Sequence, residues 1–372
     1  MDSRIKALWL PDDETTAVSG SNLFDGPFGW PVMVVKRSAL AANIATMAGF
    51  CERHGVSLAP HGKTTMVRSI VEAQLAAGAW GITVATPHQA LIAAKWGVPR
   101  ILMANELLDP RVLRWAASLH GEFYSYVDSL DGVAMLREAS VPSSILIEMG
   151  YAKGRTGCRT LDEAVAVAAA ARAVDGVEVV GVSGFEGQLA TPDEVRAFLG
   201  LIREASQAIG GPIVSAGGSA FFDLVVEELK GVAPQLILRS GCYVTHDHGL
   251  YAESSPLAGS LVPALEVWAQ VLSAPEPGFT VAGAGRRDVP HDSGLPVPLL
   301  VRGRDGVTRA ADRGAVVERL SDQHAHIAGL TARPGELVCF GISHPCTAFD
   351  KWRVIPEVDD DYRVLALLET WF

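Results

Sequence analysis

The sequence predicts a (β/α)8 TIM barrel followed by a second, mainly β C-terminal domain. Two observations predict the barrel. Eight short apolar runs recur between about residue 56 and residue 243, separated by longer amphipathic segments of helical composition. Polar or glycine residues follow each run, where barrel enzymes place their active residues. A third observation predicts the β domain. From about residue 260, turn pairs become dense, as in Pro275-Glu276-Pro277-Gly278, Gly294-Leu295-Pro296 and Arg333-Pro334-Gly335.

In chain order, an early strand over 31–36 precedes the barrel count and is expected to pair with the β domain. The barrel runs are 56–59, 82–85, 101–104, 123–127, 145–149, 179–182, 213–216 and 236–238. Helices are expected over 66–77, 87–96, 110–120, 161–173, 192–209 and 221–230. Several open on a cap or proline signal: Thr86-Pro87, Asp109-Pro110 and Thr191-Pro192-Asp193. Strands over 262–272 and 280–283 and an apolar end at 362–368 belong to the second domain. The expected division is therefore 37–255 for the barrel, with 1–36 plus 256–372 forming the β domain.

Composition narrows the function. The chain has 372 residues, 49% of them hydrophobic, enough for a large core in two domains. A net charge of −11 argues against nucleic acid and anionic membrane surfaces as partners, without excluding a local basic pocket. No stretch approaches the roughly 20 apolar residues that span a bilayer. The start, Met1-Asp2-Ser3-Arg4 and then Asp12-Asp13-Glu14, does not resemble a signal peptide. Five cysteines at irregular spacing (51, 158, 242, 339, 346) do not suggest a disulfide framework, so a cytoplasmic location is expected.

Lys63 is the most informative single residue. It stands in Pro60-His61-Gly62-Lys63-Thr64-Thr65, where the first apolar run gives way to a helical pattern. A buried lysine amine at such a junction can form a Schiff base with pyridoxal 5'-phosphate (PLP), since burial lowers its pKa and frees the nucleophile. A solvated loop lysine is the plain alternative. Barrel phosphate sites are typically built after strands seven and eight. Ala216-Gly217-Gly218-Ser219 and Arg239-Ser240-Gly241-Cys242 fall there. Glycines let backbone N–H groups approach phosphate oxygens.

A second constellation is Ser343-His344-Pro345-Cys346-Thr347. In an extended segment, residues two apart point to one side, so His344 and Cys346 can face one metal. Imidazole plus thiolate suits zinc. Spacing alone favours the other reading, a structural cysteine beside an ordinary histidine. The Thr245-His246-Asp247-His248 loop and the pair His324 and His326 stay open between ligands and polar loops. Cys158 reads as a small core residue. No Gly-x-Ser-x-Gly, Walker or Cys-x-x-Cys motif occurs.

Together these residues resemble the fold-type III PLP enzymes of the D-serine dehydratase and D-threonine aldolase family, an alanine-racemase-like barrel followed by a β domain. Pro60-His61-Gly62-Lys63-Thr64 looks like the cofactor-lysine motif. Glu148-Met149-Gly150 through Gly154-Arg155-Thr156-Gly157 resembles the segment whose arginine contacts the cofactor ring hydroxyl. Phe185-Glu186-Gly187-Gln188-Leu189 matches a Tyr-Glu-Gly-His-type run in part, with Phe185 and Gln188 as departures. Gly217-Gly218-Ser219 resembles the phosphate loop and Ser240-Gly241-Cys242-Tyr243 the second one. Tyr243 either lines the pocket or packs against the barrel.

The resemblance implies Lys63 as catalytic base and cofactor lysine. It implies Arg155, Gln188, Gly217, Gly218, Ser219, Ser240, Gly241 and Tyr243 around the cofactor, with a divalent metal on His344 and Cys346. Dehydratases of the family carry His-x-Cys and D-threonine aldolases His-x-Asp. The expected activity is thus loss of water from a 3-hydroxy-D-amino acid, D-serine or D-threo-3-hydroxyaspartate, giving a 2-oxo acid and ammonia. A homodimer is implied, zinc is the expected metal, and the partner is a small-molecule D-amino acid. The alternatives are retro-aldol cleavage, racemisation with a second acid–base tyrosine (Tyr251 or Tyr362), and non-catalytic PLP binding.

Overall fold

The computed structural model describes residues 6–8 and 18–372. The N-terminal stretch read for the absence of a leader, residues 1–4 and 12–14, lies outside the described residues. The chain divides into two compact units. One takes residues up to Thr46, Thr64–Ile70 and Cys242–Phe372, and the other takes Met47–Lys63 and Val71–Gly241.

Strand β1 (Val32–Lys36) and helix α1 (Arg37–His54) come first. Eight strands then build the second of these units. They are β2 (Ser57–Leu58), β3 (Ile82–Val84), β4 (Arg100–Glu106), β5 (Glu122–Val127), β6 (Ser143–Met149), β7 (Val177–Gly184), β8 (Ile213–Ser215) and β9 (Gln235–Leu238). They pair in the order β2-β9-β8-β7-β6-β5-β4-β3. Every pairing is parallel. A parallel bridge between His61 and Thr83 joins the two end strands and closes the ring. All eight expected runs are strands of this barrel.

The helices are α2 (Arg68–Ala76), α3 (Pro87–Lys95), α4 (Pro110–Ala116), α5 (Leu130–Ala139), α6 (Leu161–Arg172), α7 (Pro192–Ile209) and α8 (Phe222–Leu229). The caps read from the sequence operate as expected. Thr86 Oγ1 accepts from Gln89 N (3.3 Å) and Asp109 Oδ1 from Arg111 N (2.9 Å), each ahead of a proline in the first turn. Thr160 and Thr191 form full capping boxes with Glu163 and Glu194. Helix α4 ends at Ala116, four residues short of the expected limit. Helix α5 escaped the sequence reading because Gly132 sits in its first turn, where glycine costs about 1 kcal/mol of helix propensity. Its signal was Ser129, whose Oγ accepts from Gly132 N at 3.2 Å.

Inside the barrel, Ala59, Leu102, Tyr126, Leu146, Val180, Ile213 and Ile237 pack as one buried cluster, drawn from seven of the eight strands or their ends. Truncating a large member such as Leu102 or Leu146 to alanine would cost roughly 2–5 kcal/mol. Strands β7 and β8 approach so closely that a Cβ on Gly181 would lie 1.8 Å from Ile213 O, so only glycine fits there.

The other unit is mainly β. Its strands are β1, β10 (Leu265–Glu276), β11 (Phe279–Ala282), β12 (Val297–Arg302), β13 (Thr308–Ala310), β14 (Val316–Leu320), β15 (Ala325–Ala328), β16 (Leu337–Gly341), β17 (Val354–Val358) and β18 (Val364–Glu369). The main path runs β13-β12-β16-β10-β1-β17-β18. β1 lies between β10, antiparallel, and β17, parallel. Its Val-Met-Val-Val run is wholly buried, which suits a central strand. A short helix, α9 (Leu250–Ser254), precedes these later strands. Among the described residues no helix is long and apolar enough to cross a membrane.

Candidate functional site

Lys63 lies in the 3-10 turn Gly62–Thr64, just beyond β2. It lines a cavity of about 160 Å³ with His61, Ala85, Ala104, Asn105, Arg155, Thr156, Phe185, Gly217, Gly218 and Arg239. These residues lie at or just beyond the C-terminal ends of seven of the eight barrel strands, all but β5, where the fold class places its sites. The structure thus brings together Lys63, Arg155, Gly217 and Gly218 of the expected set. Gln188 is exposed and is not among the lining residues. Ser219 and Ser240 are not lining residues either. Ser240 Oγ donates to Gly218 O (2.6 Å) and Arg239 N to Gly217 O (3.0 Å), so the two glycine-serine loops are tied together. Gly241 directly follows. Tyr243 belongs to the other unit and is buried in the turn Cys242–Val244.

Three residues of this site carry structure that the sequence did not announce. Glu186 is fully buried, and its carboxylate accepts from Gly217 N (3.1 Å) and Gly218 N (2.6 Å). The amides expected to meet a phosphate therefore hold a carboxylate, and the glycines contribute room. Gly217 has φ +97°, and a Cβ there would meet Leu238 at 2.8 Å. Arg239, 5% exposed, donates to Ser215 Oγ and Gly184 O, both at 2.7 Å, and places a fixed cation against the cavity. His61 Nδ1 is buried without a partner. Burial, then the charges of Lys63, Arg239 and Arg155, hold this imidazole well below its usual range. It stays neutral and offers a bare acceptor. Arg155 lies over the Phe185 ring at 4.4 Å.

These features fit PLP. A nucleophilic lysine, two arginines, glycine walls and an unsatisfied imidazole nitrogen share one cavity.

On β4 and β6 stand two carboxyls with buried oxygens, Glu106 and Glu148. No donor reaches either oxygen of Glu106. Burial first, then Glu148 and Asp128, push Glu106 up to about 9. Its folded value exceeds the ordinary 4.5, so the folded state binds this proton more tightly and stability falls as pH rises from about 4.5 to about 9. Glu106→Gln is expected to flatten that slope, gaining about 1–2 kcal/mol over the parent near pH 8 and converging with it near pH 5. Urea melts across that range measure it. Parallel curves for parent and variant would mean that Glu106 does not hold a proton.

In the β unit, donor atoms of Cys242, His344 and Cys346 all lie within 4.8 Å of one another. Cys242 is 4% exposed and its Sγ is 3.2 Å from Cys346 Sγ. His344 and Cys346 converge as expected, but not along an extended strand. His344 is extended (φ −158°, ψ 124°), and Pro345 then opens a 3-10 turn, Pro345–Thr347, that swings Cys346 round. His344 Nδ1 is bonded to Asp292 Oδ2 at 2.7 Å, and Thr347 Oγ1 donates to Asp292 Oδ1 at 3.0 Å. Burial disfavours the His344 charge, but Cys346 and Asp292 outweigh it and raise this group to about 9. A carboxylate on Nδ1 fixes the ring so that Nε2 is free to ligate. Asp292→Ala is expected to weaken metal binding about 10–100-fold, read by competition with a chromophoric chelator. Unchanged affinity would remove Asp292 from this role.

His326 uses both ring nitrogens, on Arg319 (3.2 Å) and Ser321 Oγ (3.1 Å). Asp247 Oδ1 caps α9, accepting from Gly249, Tyr251 and Ala252 N–H groups. His246 is held down to about 4 by burial and then by His248. Cys158 donates to Asp128 O at 3.2 Å, and burial pushes it up to about 12, which makes it inert.

Comparison with known proteins agrees with this layout. Residues 35–230 match the family model for the alanine racemase N-terminal domain. Residues 264–358 match the model for a putative serine dehydratase domain. D-threonine aldolase of Arthrobacter sp. is 27% identical over 301 residues, 76% of this chain and 77% of that protein. D-threo-3-hydroxyaspartate dehydratase of Delftia sp. strain HT23 is 29% identical over 285 residues, 71% and 73% of the two chains. The crystal structure of D-threonine aldolase from Filomicrobium marinum superposes with a TM-score of 0.79 at 25% identity, covering 92% of this chain and 95% of the other.

A closed parallel barrel with the alanine racemase N-terminal domain makes the chain a member of the fold-type III PLP enzymes. Within them it belongs to the D-serine dehydratase and D-threonine aldolase family.

Proposed function

We propose that the chain is a PLP- and metal-dependent lyase that removes water from a 3-hydroxy-D-amino acid, D-serine or D-threo-3-hydroxyaspartate, to give a 2-oxo acid and ammonia. The observation that carries this reading is the convergence of an imidazole and a thiol at His344 and Cys346. Soft donors suit zinc better than manganese or magnesium.

Lys63 would hold the cofactor, and its Nζ would take the α-proton. Arg155 would orient the cofactor ring hydroxyl. Gly217, Gly218, Ser219, Ser240 and Gly241 would lie around the phosphate, with the glycines supplying close approach. Arg239 and the neutral His61 fix the field around Lys63. PLP supplies an electron sink for the developing carbanion. His344 and Cys346 would hold a divalent ion, which would supply Lewis acidity for loss of the β-hydroxyl, a poor leaving group at neutral pH. A homodimer in the cytoplasm is part of the same proposal.

A second reading is retro-aldol cleavage of a D-threonine-like substrate, favoured by the likeness to D-threonine aldolases. A product assay separates the two. D-serine, D-threo-3-hydroxyaspartate and D-threonine are offered with and without a chelator. A 2-oxo acid and ammonia that vanish with the metal support elimination. Glycine plus an aldehyde from D-threonine, with no oxo acid from any substrate, would replace it by the aldolase.

A further inference from the structure

We infer that Cys242 is a third protein ligand of the metal, so that the centre is a two-thiolate, one-imidazole site. The proposal rests on reading the His344–Cys346 pair as a metal site and adds a donor that no local motif contains. Cys242 is 102 residues before His344 (344 − 242) and sits in its own turn, Cys242–Val244, directly after Ser240-Gly241.

The three donor atoms lie within 4.8 Å of one another and the two sulfurs 3.2 Å apart. Two thiolates on one zinc, each at roughly 2.3 Å, cannot be more than about 4.6 Å apart, so this spacing admits a shared ion. It is also well beyond the roughly 2.0 Å of a disulfide, and none of the five cysteines is in a disulfide.

The surroundings prepare these atoms for ligation. Asp292 fixes the His344 ring through Nδ1. The Tyr251 hydroxyl is hydrogen-bonded to Cys242, and its ring lies 5.8 Å from the His344 ring. An O–H group on a ligating sulfur is a typical outer partner of a metal thiolate.

Three protein donors are the number that zinc sites use when they keep a position open for substrate. Two thiolates also balance the charge of a divalent ion. Cys242 therefore selects a thiophilic metal and tightens its retention, beyond what His344 and Cys346 provide.

The test uses purified holoenzyme reconstituted with cobalt(II), whose sulfur-to-cobalt charge-transfer band grows with the number of thiolates. Cys242→Ser and Cys346→Ser are each expected to lose about half of the band. Cys242→Ser is also expected to bind cobalt and zinc at least roughly tenfold more weakly. Unchanged absorbance of the Lys63-bound cofactor reports that the fold is intact. Full band and full affinity in Cys242→Ser would overturn the inference and leave the proposed function standing. Should Cys242→Ser fail to fold, Cys346→Ser decides alone: half of the band remaining supports Cys242, and none remaining overturns it. A parent protein that takes up no cobalt or zinc would remove the metal centre from the proposed function as well.

Discussion

Lys63→Ala is expected to abolish the visible absorbance of bound PLP and to reduce turnover to background. The residue has two functions in the proposed reaction, and alanine removes both. Without Nζ the cofactor has no covalent attachment, and the cavity retains only noncovalent contacts, among them Arg155, Arg239, His61 and the glycine walls, to hold it. Without Nζ there is also no amine to take the α-proton. Loss of a general base alone costs about 10²–10⁴ in rate. Absorbance spectra and a 2-oxo acid assay at saturating PLP measure the two losses separately. Turnover within tenfold of the parent would sink the assignment, because no other lysine lines the cavity.

The second large effect is expected at His344. His344→Ala should leave the cofactor spectrum intact while elimination falls about 10³-fold, the scale of several kcal/mol of Lewis-acid assistance. Proton removal and hydroxide departure are separate events with separate residues. In the proposed reaction Lys63 would perform the first, and the His344 centre would assist the second. Exchange of the substrate α-proton with heavy water should therefore continue in His344→Ala while oxo acid formation stops. Parallel loss of exchange and elimination would mean that His344 acts on cofactor or substrate binding instead.

Much of this was legible in the chain. The barrel declared itself because buried parallel strands need short apolar runs, and eight of them stand at intervals filled by capped helices. Lys63 was legible because it interrupts the junction after the first run, and Gly217-Gly218 because glycines follow the seventh. The His344 and Cys346 pair was legible as a spacing, although the spacing suggested a strand and the fold uses a 3-10 turn. Helix α5 was hidden by Gly132, and Ser129 was the signal that could have found it.

Other features carried no local signal. Glu186 follows the sixth strand, as a barrel site residue should, but its bond to two glycine amides 31 and 32 residues later is a property of packed loops. Gln188, two residues on, is exposed. Alternation along one segment could not tell which of the two is buried. Glu106 looked like one more polar residue at the end of a strand, until Glu148 and Asp128 were placed beside it.

The sequence by itself determined the order of strands and helices, their caps, the position of the reactive lysine and the pairing of a histidine with a cysteine. Those are matters of period, propensity and short spacing, which neighbouring residues settle among themselves. Only the tertiary structure decided that Cys242 joins His344 and Cys346, that Asp292 fixes the imidazole, and that Glu186 takes the glycine amides. Each depends on side chains 31 to 104 residues apart meeting within hydrogen-bonding or sulfur-contact distance, and such meetings are set by how whole strands and turns pack.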